Sequence, residues 1–160
     1  MKKCSAIELK MTLQFKATPE QVFDAWITPE IAKKWYMSTV ESNQVFETDP
    51  VVGGTYTIVR KHEGIEIKAI GKYLEVDRPK KLVYTFQIPQ MQTTDDEDTL
   101  TVEFAPAEKG CEVNFTHLIH VEHDPEQDPK ETEELLKQHR EGMKGGWEPM
   151  FALLEKVLSE

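Results

Sequence analysis

Three histidines, His117, His120 and His123, recur at intervals of three in the second half of the chain. On a helix that spacing would gather metal ligands onto one face. The residues around them alternate instead, with Val113, Phe115, His117 and Ile119 sharing one parity. On a strand, side chains three apart point to opposite faces, and His117 and His123 lie roughly 20 Å apart. Such a set cannot share one tetrahedral metal unless the strand ends between them. No metal and no cofactor is expected, and His117 is expected to face inward. There it is either a hydrogen-bonded core histidine or the polar contact of a ligand pocket.

Other residue types capable of chemistry are scattered. Arg60 shares the parity of Tyr56 and Ile58, so an inward Arg60 would need a carboxylate or a ligand anion, since an unpaired buried charge is costly. The other reading puts it at an exposed strand end. Asp95-Asp96-Glu97-Asp98 lacks the glycine and terminal glutamate of a calcium loop and reads as a solvated hairpin tip. No nucleophile elbow, zinc-protease helix or phosphate loop occurs. Gly53-Gly54 has neither the lysine nor the helix a phosphate loop requires. Cys4 and Cys111, the only two cysteines, are read as reduced thiols. For an enzyme acting on a bound substrate, His117, Arg60 and Tyr84 are the acid–base candidates; no catalytic residue is assigned.

The elements that must position these residues follow from periodicity. Ile7, Leu9, Met11, Leu13 and Phe15 alternate with polar residues, a half-buried strand. Thr18-Pro19-Glu20-Gln21 carries a helix start with a capping box, and Thr28-Pro29-Glu30 repeats the start signal ten residues later. Two short helices are therefore expected. From about residue 39 to residue 121, short alternating runs separated by Asp49-Pro50, Gly53-Gly54, Glu63-Gly64, Asp77–Lys80, an acidic loop over 89–98 and Ala107–Gly110 predict hairpin-connected antiparallel strands, with a bulge at Gly71. Met143, Trp147, Met150, Phe151, Leu154, Val157 and Leu158 then give the last segment one apolar helical face. Gly145, Gly146 and Pro149 sit oddly within it. The glycines predict a close approach to strands, and Pro149 predicts a kink or a second helix start. The order predicts an α+β domain over residues 1–160, with residues 1–6 disordered and the helices on one face of the sheet.

Composition narrows the function classes. The formal net charge of −10 disfavours nucleic acid and anionic membrane surfaces as partners. No apolar run approaches a membrane span of about 20 residues, and MKKCSAIELK has no apolar stretch of a signal peptide. A cytoplasmic location is expected.

Several segments together carry a family resemblance. Ala17-Thr18-Pro19-Glu20-Gln21-Val22-Phe23-Asp24-Ala25-Trp26-Ile27-Thr28-Pro29-Glu30, Lys34-Trp35-Tyr36, Asp49-Pro50-Val51-Val52-Gly53-Gly54-Thr55-Tyr56, the run from Gly71 to Phe86, and Gly146-Trp147 with Leu154 occur in order. They resemble the START-like (SRPBCC) superfamily, in the branch named for activators of the heat-shock-protein-90 ATPase. The resemblance implies a helix-grip fold: a curved antiparallel sheet wrapped around a long C-terminal helix, with two short helices after the first strand and a cavity between sheet and helix. Superfamily relatives hold lipids, sterols or aromatic polyketides there, some are cyclases or hydrolases, and one eukaryotic branch stimulates the chaperone. The expected function is binding of a small hydrophobic or aromatic ligand by Trp35, Tyr56, Phe86, Phe104, Phe115, His117, Trp147 and Phe151. A chaperone partner is the alternative.

Overall fold

A computed structural model describes residues 3–36, 44–62, 64–89 and 97–159. Strand β1 (Lys3–Phe15) leads into α1 (Pro19–Ile27) and α2 (Pro29–Ala32). Strands β2 (Gln44–Thr48), β3 (Thr55–His62), β4 (Ile65–Asp77), β5 (Lys81–Phe86), β6 (Asp98–Ala107) and β7 (Gly110–His123) follow, and α3 (Pro129–Leu158) ends the chain. Seven strands form one antiparallel, curved, open sheet in the order β1-β7-β6-β5-β4-β3-β2. Every pairing after β2 is a hairpin neighbour. The exception is β1, which joins the last strand. The architecture is α+β and helix-grip-like.

Local chemistry explains the starts and stops. Thr18 accepts from the Gln21 amide while the Gln21 side chain accepts from the Thr18 amide, completing the capping box. Thr28 closes α1 and opens α2 with its backbone alone; its side chain makes no cap bond. Asp128 caps α3 through the Lys130 amide.

Three expectations are corrected. Residues 3–6 are not disordered: they belong to β1 and pair with Val121–His123 and His120, because β7 extends far enough to supply their hydrogen bonds. The last segment is one helix through Pro149, with no second start. Gly145 and Gly146 approach no strand; a Cβ at either position would meet nothing within 4 Å. The acidic loop lies outside the described residues over 90–96, but Asp98 starts β6 and turns inward.

The core gathers on the concave face. Alternate residues of β1, β5, β6 and β7 (Leu9, Phe15, Leu82, Tyr84, Leu100, Val102, Phe115 and Ile119 among them) are buried beneath α1 and α3. Helix α3 lies over β1 and β7, α1 over β6 and β7, and α2 against β2. No described helix is long and apolar enough to cross a membrane.

Candidate functional site

The helices leave the inner face of the middle strands to aromatic side chains. A cavity of about 10 Å³, room for a single water, is bounded by Trp26 of α1, Tyr36 just past α2, Tyr56, Tyr73 and Tyr84 of three strands, and by Phe46, Ile58 and Leu82. These are all four tyrosines of the chain.

Their hydroxyls are unevenly satisfied. Tyr56 donates to the Thr85 carbonyl oxygen at 2.6 Å, and Tyr73 shares a bond with the Thr48 hydroxyl at 2.5 Å. The Trp26 indole N–H donates to the Tyr84 oxygen at 3.2 Å, and the Tyr84 and Tyr36 oxygens stand 2.8 Å apart. One of the latter two hydroxyls donates to the other. The second proton then has no acceptor among the described residues, whichever way the pair is arranged. An indole can only donate, so it cannot take that proton. Burial pushes all four phenols up, Tyr73 to about 12 and Tyr36, Tyr56 and Tyr84 further from the neutral range. They stay protonated, as neutral donors in an apolar setting.

Aromatic rings pack against one another beneath α3. Trp147 stacks on Phe151 with centroids 5.6 Å apart, and Phe115 meets both edge-on at 4.8 and 5.1 Å. Trp35 packs against Phe151 and Trp26, and Phe86 against Trp147. Phe104 contacts Phe23 and Trp26 on the other side of α1. Of the eight residues singled out in the sequence, all are buried, seven lie in this packed aromatic cluster or beside it, and Tyr56 alone lines the cavity. Tyr36 joins the two regions, meeting Trp147 at 5.6 Å and Tyr84 at 6.5 Å.

His117 is wholly buried within a polar chain. The Trp147 indole donates to its Nδ1 at 3.1 Å, and its Nε2 lies 2.7 Å from Asp98 Oδ2. The indole fixes the tautomer: Nδ1 must accept, so Nε2 carries the proton and donates to Asp98. The other Asp98 oxygen accepts the His120 amide at 3.0 Å. His120 Nδ1 is 3.5 Å from it without hydrogen-bond geometry. His117 and His120 thus meet one carboxylate, which the spacing of three had not suggested, because Asp98 sits at the start of β6 and reaches both. Both ring nitrogens of His117 are occupied, and Tyr84 is far above the neutral range, so neither is free to move protons as the structure stands.

Two further polar groups stand out. Arg60 follows Tyr56 and Ile58 on the inner face of β3, half-buried, and its Nε is buried with no hydrogen-bond partner among the described residues. At the far end of β1, Ser5 Oγ lies 2.7 Å from His123 Nε2, whose Nδ1 faces the Asp124 carbonyl at 3.1 Å. Cys4 and Cys111 are not joined to each other: their places opposite Glu122 and Phe15 set them roughly 35 Å apart along the β1–β7 ladder, beyond disulfide reach.

The sheet also opens beside Tyr56. Ile70 and Gln87 exchange both backbone bonds, and Tyr73 pairs with Tyr84, but between them the Lys72 amide goes to the Thr85 hydroxyl and Tyr56 takes the Thr85 carbonyl. Gly71 makes room: a Cβ there would stand 2.0 Å from the Thr85 oxygen and 2.5 Å from the Tyr56 ring. The register shift falls later, between Tyr73 and Glu75, rather than at Gly71. Outside this opening lies a polar groove of about 330 Å³ that includes Tyr56, Thr57, Lys72 and Glu97.

The sequence signals for the cavity were partly present. Tyr36 and Trp26 stand within the recognised segments, but their parity on short helices did not say which strand they would meet. Asp98 was hidden in an acidic run that reads as a solvated tip.

Comparisons with known proteins agree with this geometry. A family model described as Activator of Hsp90 ATPase homolog 1-like protein matches residues 16–159. A Staphylococcus aureus protein of unknown function is 25% identical, with a TM-score of 0.88 over 98% of this chain and 96% of that one. An uncharacterised protein from Rhizobium leguminosarum is 19% identical, with a TM-score of 0.75 over 99% and 98%. An AHSA1-like protein from Aeromonas hydrophila is 18% identical, with a TM-score of 0.66 over 96% and 92%. No curated protein matches the sequence.

Proposed function

The chain belongs to the family of Activator of Hsp90 ATPase homolog 1-like proteins, and from that premise we propose that it binds a small apolar or aromatic molecule bearing a hydrogen-bond acceptor. The site is the tyrosine-lined cavity between the middle strands and α1. The observation that carries this reading is the Tyr36–Tyr84 pair, which leaves one buried hydroxyl proton without an acceptor among the described residues. An unsatisfied buried donor costs about 1–3 kcal/mol, and a ligand carbonyl or ether oxygen would recover it. Apolar walls with a few convergent polar groups are the usual make-up of such sites.

The cavity now holds at most one water, so a ligand takes its room from the rings that meet there. Tyr36 is the ring best placed to yield, since it touches both the cavity and the packed cluster under α3. The test compares acetophenone with ethylbenzene, which differ in the carbonyl, by NMR shift perturbation. Acetophenone should bind more tightly and shift Tyr36, Tyr84 and Trp26 resonances, and the double variant Tyr36→Phe/Tyr84→Phe, which removes both hydroxyls, should erase its advantage. Shifts that never cluster on these residues with either compound would sink the reading.

A chaperone partner is a second reading, supported by the family's description. Failure to co-elute with the chaperone or to change its ATPase rate would remove it.

A further inference from the structure

Arg60 is a charged side chain of the inner face that the apolar cavity does not use. It stands one two-residue step beyond Ile58 and two beyond Tyr56 along β3, both of which line the cavity. Those steps are about 7 and 13 Å. Opposite it on β4 is the half-buried Ile67, followed inward by the buried Ala69. Its Nε is shut off from solvent and has no hydrogen-bond partner among the described residues. No ion pair to its guanidinium occurs among the described residues, although Glu75, Asp24 and Asp98 each engage a basic group elsewhere. The unpaired nitrogen belongs to a group that cannot lose its charge. A cation held half inside an apolar face, with one donor unmet, is costly unless an anion meets it.

We propose that Arg60 is a specificity determinant for a carboxylate on the cavity ligand. The preferred ligand is then an amphipathic acid: an apolar or aromatic body in the tyrosine cavity, with its carboxylate on the Nε side of the Arg60 fork. That edge of a guanidinium presents two parallel N–H groups, the geometry that takes a carboxylate through both oxygens. The inference rests on the cavity reading above and adds the charge and the length of the ligand to it. An acidic protein surface does not argue against it, because a half-buried pair is screened far less than exposed charges are.

The test uses 5-benzoylpentanoate, a ketone at one end and a carboxylate at the other, against its methyl ester, which keeps the body and removes the charge. Isothermal titration calorimetry on the full chain gives the affinities, and NMR locates each probe. The acid should bind about tenfold more tightly than the ester, the margin expected of a hydrogen bond to a charged group. Arg60→Gln should abolish that preference while leaving ester affinity unchanged, and Arg60→Lys should restore part of it by keeping the charge without the fork. Equal affinities of acid and ester on the wild-type chain overturn the role of Arg60 and leave the cavity reading standing. So does an acid preference that survives Arg60→Gln. If neither probe shifts Tyr36 or Tyr84, both readings fall together.

Discussion

At the scale of single residues, the most informative group is His117. A histidine of inward parity on a strand could have been a ligand, a base or a core residue, and the deciding fact is its neighbour on α3. An indole N–H has no acceptor capacity, so the Trp147 bond assigns the proton of His117 to Nε2 and directs it to Asp98. The Asp98–His117–Trp147 chain therefore ties β6, β7 and α3 together, with each ring nitrogen of His117 matched to its own partner. Trp147→Phe keeps an aromatic ring but leaves Nδ1 buried without a donor, and should cost about 1–3 kcal/mol in urea unfolding. Nitrogen-15 spectra of the wild-type imidazole should report the Nε2–H tautomer; the Nδ1–H form would refute the assignment. Inward parity was readable for His117 from Val113, Phe115 and Ile119. Asp98 and Trp147 were not readable as its partners, because both come from other elements.

At the scale of elements, glycine has opposite meanings in the sheet and in the last helix. Gly71 sits where β3, β4 and β5 crowd together and the Tyr56 ring crosses toward the Thr85 carbonyl. Gly145 and Gly146 lie on the open side of α3 with nothing near them. Gly71→Ala should therefore destabilise by roughly 1–3 kcal/mol through overpacking. Gly145→Ala and Gly146→Ala should each stabilise by up to about 1 kcal/mol, the helix-propensity difference alone. Thermal unfolding of the three variants checks the contrast, and a loss of stability at Gly145 or Gly146 would restore the close-approach idea. Pro149 leaves the Gly145 carbonyl without its usual intrahelical donor, yet α3 runs on to Leu158 because Trp147, Phe151 and Leu154 are buried on its inner side. Tertiary burial overrides the breakers that made this segment read as two pieces.

At the scale of the whole molecule, all four tyrosines sit in one interior region, and this has a measurable consequence. Burial raises each phenol above the ordinary value of 10.0, Tyr73 to about 12. The folded state thus holds these protons where the unfolded chain releases them. Stability from this source is fully present below pH 10 and is lost as the pH rises from about 10 through 12. Phenolate absorbance in a rapid pH jump should stay silent until near pH 12, with slower ionisation only on unfolding; a fast phase near pH 10 would place a tyrosine at the surface. Local patterning was enough to read the strand order along the chain, the capping box at Thr18, the apolar side of α3 and the α+β class, because period-two and period-3.6 alternation and turn residues are local properties. It also held the order of segments by which the family is recognised. Only the tertiary structure decided that β1 pairs with β7 from Lys3 onward, that aromatic rings from α3 and the strands pack together, and that a cavity lies among Trp26 and the tyrosines. Those outcomes depend on which side chains from distant elements reach the same volume first. Parity says that a residue faces inward, but not what it will find there.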